Sequence, residues 1–140
     1  MALDEQLCFA LYSASRAMTA MYRPKLDALG LTYPQYLVLL ALWERDGRGV
    51  GDLSAALDLD VGTLSPLLKR LQSAGLVERR RSGSDERRVE VTLTERGREL
   101  RASACDIPAH TFAATGMSMD SLVALRETLH NLTRTLKSHT

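Results

Sequence analysis

A change of hydrophobic period near Gly75 constrains this chain more than any other feature. Leu64, Leu67, Leu68 and Leu71 recur at i, i+3, i+4 and i+7, the spacing of one helix face. Past Gly75 the period falls to that of a strand. Val89, Val91 and Leu93 alternate there with Arg88, Glu90 and Thr92. The pattern predicts a helix that starts near Gly62 or Thr63, with Pro66 in its first turn, and stops at Gly75. Two short strands follow, 76–81 and 87–93, joined by Ser82-Gly83-Ser84-Asp85-Glu86 as a polar hairpin tip.

Helices are expected on both sides of this unit. Asp4 is placed to cap a first helix carrying Leu7, Leu11 and Met18, which Pro24 should bend or break and Gly30 should end. Thr32, with Pro34 near the first turn, opens a second helix. Tyr36, Leu37, Leu39, Leu40, Leu42 and Trp43 make it apolar nearly all round, so it should be buried on every side. Asp46-Gly47-Arg48-Gly49 reads as a loop and 51–57 as a short helix. Thr94 caps the helix after the hairpin, and Pro108 sits inside it or ends it. Gly116 breaks the chain again, and Ser118 opens a last helix with Leu122, Leu125, Leu129, Leu132 and Leu136. The fold class is therefore mainly α with a small β wing.

At 140 residues the chain is one domain's worth, long enough for a real core. No apolar run approaches the roughly 18 residues that cross a membrane. The N-terminus lacks the basic flank and apolar stretch of a signal peptide, so a cytoplasmic protein without a membrane partner is expected.

Charge points to a partner. The net charge is only +1. Between Lys69 and Arg88, however, seven basic residues stand against three acidic ones, which leaves +4 there and −3 elsewhere. Positive charge focused on one stretch is the electrostatic footprint of phosphate binding. With its leucines turned to the core, the helix over 63–72 presents Thr63, Ser65, Lys69, Arg70 and Gln72, groups suited to base edges and phosphates in a major groove. Arg81 and Arg87 at the hairpin suit phosphates or a narrow minor groove. Asp85 could orient Arg87 by a charged hydrogen bond, or be a solvated turn residue. Alone, either basic element could be a solvated face. Two short helices followed by an arginine hairpin make the combination of a winged helix-turn-helix. The expected set contacting double-stranded DNA is Thr63, Ser65, Pro66, Lys69, Arg70, Arg79, Arg81, Asp85 and Arg87.

Cys8 and Cys105 are far apart and belong to no CxxC pair, so neither zinc nor a structural disulfide is expected. No other metal and no cofactor is implied. His110, His130 and His139 are scattered, with no acid or serine partner evident from spacing. That leaves a thiol-dependent redox enzyme as a weak alternative.

The wing stretch Leu76-Val77-Glu78-Arg79, Asp85-Glu86-Arg87-Arg88 and Leu93-Thr94-Glu95-Arg96-Gly97 resembles the signature of the MarR family of bacterial regulators. Three further segments resemble that family's organic-hydroperoxide sensors, the OhrR group. They are Leu7-Cys8-Phe9-Ala10-Leu11-Tyr12, Leu31-Thr32-Tyr33-Pro34-Gln35-Tyr36-Leu37 and the run from Gly62 to Leu71. The resemblance implies a homodimer on a pseudo-palindromic operator. Residues 1–30 and 95–140 would be dimerisation helices and 34–93 the DNA-binding core of a single domain. It implies repression of a hydroperoxide-resistance gene, with Cys8 as the peroxide-sensing thiol. Tyr22 and Tyr33 match the tyrosines that hydrogen-bond the sulfur, and Tyr12 matches a third that the partner subunit contributes.

Elementary chemistry agrees. Peroxides react with thiolate, and a helix N-terminus and phenolic donors favour a negative sulfur. Leu7, Phe9 and Leu11 would suit an alkyl hydroperoxide as inducer. The sulfenic acid formed condenses with a second thiol. Some family members supply that thiol from the partner subunit, at a position that aligns here with Ala113, eight residues after Cys105. A low-molecular-weight cellular thiol is the favoured second thiol here, with Cys105 as the other candidate. A regulator released by a small aromatic ligand, with an idle buried Cys8, remains the alternative.

Overall fold

In the computed structural model, which describes residues 2–81 and 88–139, most helix boundaries follow the capping residues. The first helix, α1 (Leu7–Ala28), ends where Gly30 takes φ +71. Gly30 N–H donates to Asp27 O and Leu31 N–H to Leu26 O, a left-handed stop that only glycine makes without strain. Leu26 and Leu31 are both buried at this corner. One expectation for α1 fails. Asp4 does not cap it, because Leu3–Glu5 close into a separate 3₁₀ turn and leave Gln6 as the N-cap. Of the bend or break expected at Pro24, the break does not occur, since the helix runs on to Ala28. The proline is exposed and near the last turn, where water can satisfy the carbonyl that lost its donor.

The second helix, α2 (Tyr33–Glu44), begins with a reciprocal cap. Gln35 N–H donates to Thr32 Oγ1 at 3.3 Å, and Thr32 N–H donates to Gln35 Oε1 at 2.9 Å. Tyr36, Val38, Leu39, Ala41 and Leu42 are buried. Leu40 is 38% exposed, so burial is not all round as predicted. One edge of α2 faces out although its sequence is apolar there.

The stretch read as a loop contains a two-residue strand, β1 (Arg48–Gly49). Two residues carry no readable period. Then come α3 (Val50–Leu57) and α4 (Val61–Ser73). Asp60 accepts from Thr63 N–H at 2.6 Å and starts α4 earlier than predicted. Pro66 therefore stands in the second turn, on an exposed position. Gly75 at φ +77 stops α4 by the same pattern as Gly30, with Gly75 N–H on Gln72 O and Leu76 N–H on Leu71 O.

Strands β2 (Val77–Arg81) and β3 (Val89–Leu93) pair antiparallel, with Val77 opposite Leu93, Arg79 opposite Val91 and Arg81 opposite Val89. Among the described residues the sheet order is β1-β3-β2. The last helices are α5 (Glu95–Ala104), α6 (Ile107–Thr115) and α7 (Met119–Lys137), with Thr94 and Ser118 capping α5 and α7. The chain breaks after Ala104 rather than at Pro108, which lies in the first turn of α6.

The core gathers Leu39, Leu42, Leu53, Leu64, Leu68 and Leu71 from α2, α3 and α4 over Val77 and Val91 of the sheet. Removing such a side chain from water stabilises by about 1.5–3 kcal/mol each. The start of α5 is fastened to the turn after α4. Thr94 Oγ1 donates to Gly75 O at 2.6 Å, Arg96 Nη1 to Ala74 O at 2.9 Å, and Trp43 Nε1 to Gly97 O at 2.8 Å. The chain divides into two compact units, Met1–Ile107 and Pro108–Thr140. The sheet and all the site residues below belong to the first.

Candidate functional site

Burial sorts the two faces of α4. Leu64, Leu67, Leu68 and Leu71 face the core, while Thr63, Pro66, Lys69, Arg70 and Gln72 are exposed and Ser65 is half-buried. The predicted DNA-facing set on this helix thus shares one surface. Asp60 stands at its start. Hydrogen bonds from the side chain and backbone N–H of Thr63 hold the Asp60 carboxyl below its usual range. Thr63 therefore spends part of its polar capacity on the cap.

The wing cations divide by strand alternation. Arg79 and Arg81 share the face of Val77, while Glu78 and Arg80 point the other way. Arg80 Nη2 pairs with Glu78 at 2.7 Å. Arg79 Nε donates to Gln72 Oε1 at 2.8 Å, so β2 is bonded directly to the exposed end of α4. Gln72, Arg79, Arg80, Arg81 and Val89 line a cleft of about 290 Å3. Asp85 and Arg87 lie outside the described residues.

One cluster, beside β1, is invisible to hydrophobic periodicity. Arg45 and Arg48 both donate to Asp52 Oδ2, at 2.6 and 2.7 Å, and Arg48 is largely buried. The hydrogen bond from Arg48 is the largest influence holding the Asp52 carboxyl below its usual range. Asp46 Oδ1 accepts from Leu93 N–H at 2.9 Å and so ties the loop before β1 to β3. The guanidinium of Arg88 lies across Gly49, so close that a Cβ there would stand 3.0 Å from Arg88 Nε.

Cys8 is exposed, in the first turn of α1. Tyr12 follows one turn on, 59% exposed, and the Arg16 guanidinium sits 5.5 Å from its ring centroid. Cys8, Tyr12 and Arg16 therefore recur at i, i+4 and i+8, along one stripe of the helix. Tyr22 and Tyr33 meet elsewhere, with ring centroids 4.9 Å apart and Tyr36 beside both. Burial, and then the neighbouring Tyr22, raise the Tyr33 phenol above its ordinary value; the same causes, with Tyr33 added, push Tyr36 to about 12. Both stay protonated, as hydrogen-bond donors, at any physiological pH. Roughly four turns of α1, about 21 Å of rise, separate Cys8 from Tyr22, so one chain does not bring them together. Tyr12 is the tyrosine adjacent to Cys8 within a chain. Beside Tyr33 a cavity of about 420 Å3 opens between Thr19, Arg23 and Leu26 of α1 and Pro34 of α2. Cys105 is exposed at the end of α5, where the helix stops.

Among the described residues no group of three His, Cys, Asp or Glu side chains could hold a metal ion, and no helix is long and apolar enough to cross a membrane.

Comparison with known proteins agrees with this geometry. Residues 20–103 match the family described as transcriptional regulator SarA/Rot. The organic hydroperoxide resistance transcriptional regulator of Bacillus subtilis (strain 168) is 47% identical over 97% of this chain and 92% of its own length. Reduced AbfR bound to DNA superposes with a TM-score of 0.79 at 36% identity, over 97% of this chain and 93% of that one. The disulfide form of AbfR, a protein of Staphylococcus epidermidis, gives 0.65 at 38% identity, covering 94% and 92%. With a basic helix set over an arginine wing, and this likeness along nearly its whole length, the chain belongs to the MarR-type winged-helix transcriptional regulators, alongside the SarA/Rot proteins and the organic hydroperoxide resistance regulator.

Proposed function

We propose that this chain is a homodimeric DNA-binding repressor that releases its operator when an organic hydroperoxide oxidises Cys8. The observation that carries the reading is the distribution of thiol and tyrosines along α1. Cys8 is exposed at one end, and the Tyr22–Tyr33 pair stands at the other. An antiparallel crossing of α1 with its copy would set Cys8 of one protomer against Tyr22 and Tyr33 of the partner subunit. Tyr12 would then join from the same chain as Cys8, the reverse of the arrangement that the resemblance suggests. Relatives bearing on this are a hydroperoxide resistance regulator and AbfR, known both reduced on DNA and as a disulfide.

The Cys8 thiolate attacks the terminal peroxide oxygen. The O–O bond breaks, the alkoxide takes a proton and leaves as alcohol, and the sulfur becomes a sulfenic acid. A second thiol then displaces water to give a disulfide. Phenolic donors from Tyr22 and Tyr33 favour the thiolate before the reaction. The oxidised sulfur no longer fits them, and the two DNA-reading surfaces shift relative to each other. A coupling of about 2.7 kcal/mol lowers operator affinity a hundredfold.

The test is a titration of the gene's own upstream DNA at fixed salt, with reduced protein and with one equivalent of an organic hydroperoxide. Wild type should lose binding on oxidation, Cys8→Ser should keep it, and Cys105→Ser should respond as wild type does. A Cys105→Ser variant that no longer responds would make Cys105 the resolving thiol. The cavity beside Tyr33 favours a second reading, release by a small aromatic ligand. Binding that ignores peroxide and yields to a phenolic compound would decide for it.

A further inference from the structure

The seam between the end of α4 and the first wing strand has the chemistry of an anion site. Arg79 Nε donates to Gln72 Oε1 at 2.8 Å. That bond holds the guanidinium plane and leaves the two Nη groups as a fork. It also decides the amide, because Gln72 must turn its oxygen to Arg79 and its NH₂ away. Arg81 follows on the same strand face, and Arg80 lines the same cleft while its Nη2 holds Glu78. Val89 completes the lining of the cleft, and the core begins beside it. Val77 and its neighbour Val91, which pairs with Arg79, are 1% and 0% exposed.

Position along the helix indicates what the cleft would hold. Side chains near a recognition helix's N-terminus reach base edges. Gln72 lies about 13 Å further along α4 than Thr63, where a groove-bound helix meets the strand that borders the groove. We propose that Gln72, Arg79 and Arg81 clamp one DNA backbone phosphodiester between recognition helix and wing, with Arg79 both a ligand and the residue that positions Gln72. The clamp rests on the DNA-binding reading and names a subsite within it.

The test uses full-length reduced protein and the same upstream duplex, titrated over a salt series and with single methylphosphonate substitutions along each strand. Gln72 and Arg79 are exposed, so their variants should fold. Gln72→Ala removes no charge, yet it should weaken binding about tenfold and flatten the salt slope by about one per protomer, as when a phosphate contact is lost. In each half-site one methylphosphonate should weaken wild type and leave Gln72→Ala and Arg79→Ala unaffected. Arg79→Lys keeps the charge and loses the fork, so its response at that phosphate should match Arg79→Ala rather than wild type.

A Gln72→Ala variant that binds as wild type does overturns the clamp, as does a methylphosphonate profile identical in variant and wild type. So does selective weakening of wild type by inorganic phosphate at equal ionic strength, which would mark a free-anion site. Wild type that fails to bind the duplex at any salt overturns the DNA-binding reading itself, and the clamp with it.

Discussion

Gly97 shows how one residue can hold a functional surface in place. It opens α5 against the turn that ends α4, and a Cβ built on it would fall 2.2 Å from Leu76 O. That oxygen already accepts from Thr94 N–H at 3.0 Å and belongs to the backbone, so it has little room to retreat. Gly97→Ala should therefore cost about 1–3 kcal/mol, the usual price of forcing extra atoms into a packed site. Urea unfolding checks it through a lower midpoint at unchanged slope. Because the strain sits beside the C-terminus of α4, operator affinity should also fall in conditions where the variant is fully folded. At this scale the sequence shows a glycine within Leu93-Thr94-Glu95-Arg96-Gly97 but not what it touches. Leu76 is far from it along the chain, and only folding brings its carbonyl there.

At the scale of elements, side chains fasten the α2–α3 connection both to α3 and to β3. Arg45, Arg48 and Asp52 form one ion cluster, and Asp46 caps the Leu93 amide. The folded Asp52 carboxyl titrates below its ordinary value of 3.8. A depressed carboxylate stabilises the fold fully above the unfolded value, and the benefit is lost as pH falls through the folded one. Wild type should then be more stable than Asp52→Asn near neutrality, and the difference should shrink below about pH 4. Thermal melts at matched ionic strength from neutral to acid pH would show the two curves converging; a constant gap would remove Asp52 ionisation as the cause. Most of the elements were legible, because Thr32, Thr94 and Ser118 cap helices and Gly30 and Gly75 end them by local chemistry alone. The start of α4 and the strand β1 were not. Asp60 competed with Pro66 as the start signal and won through a direct hydrogen bond to Thr63, and a two-residue strand exists only because β3 lies beside it.

For the whole molecule, the proposed thiol site at Cys8 depends on a second copy of the chain. Leu3 in the 3₁₀ turn and Leu7, Phe9 and Tyr12 in the first turns of α1 are all exposed, and neighbouring apolar side chains left in water mark interaction surfaces. A homodimer through this segment should sediment at twice the chain mass of 15.5 kDa. Leu7→Asp should shift it to monomer and, with the Tyr22 and Tyr33 of the partner subunit withdrawn, slow the reaction of Cys8 with hydroperoxide. A monomeric wild type that reacts as fast as the dimer would sink that arrangement. The sequence by itself determined the succession of helices and the arginine hairpin, because period, caps and charge are local properties. It also marked Cys8 and the basic face of α4 as the residues with chemistry to offer. Tertiary structure decided which of these stand together: Arg79 on Gln72, Tyr22 on Tyr33, and Cys8 a helix length from both tyrosines. Such pairings depend on how distant segments pack, and no spacing along a chain encodes a distance across it.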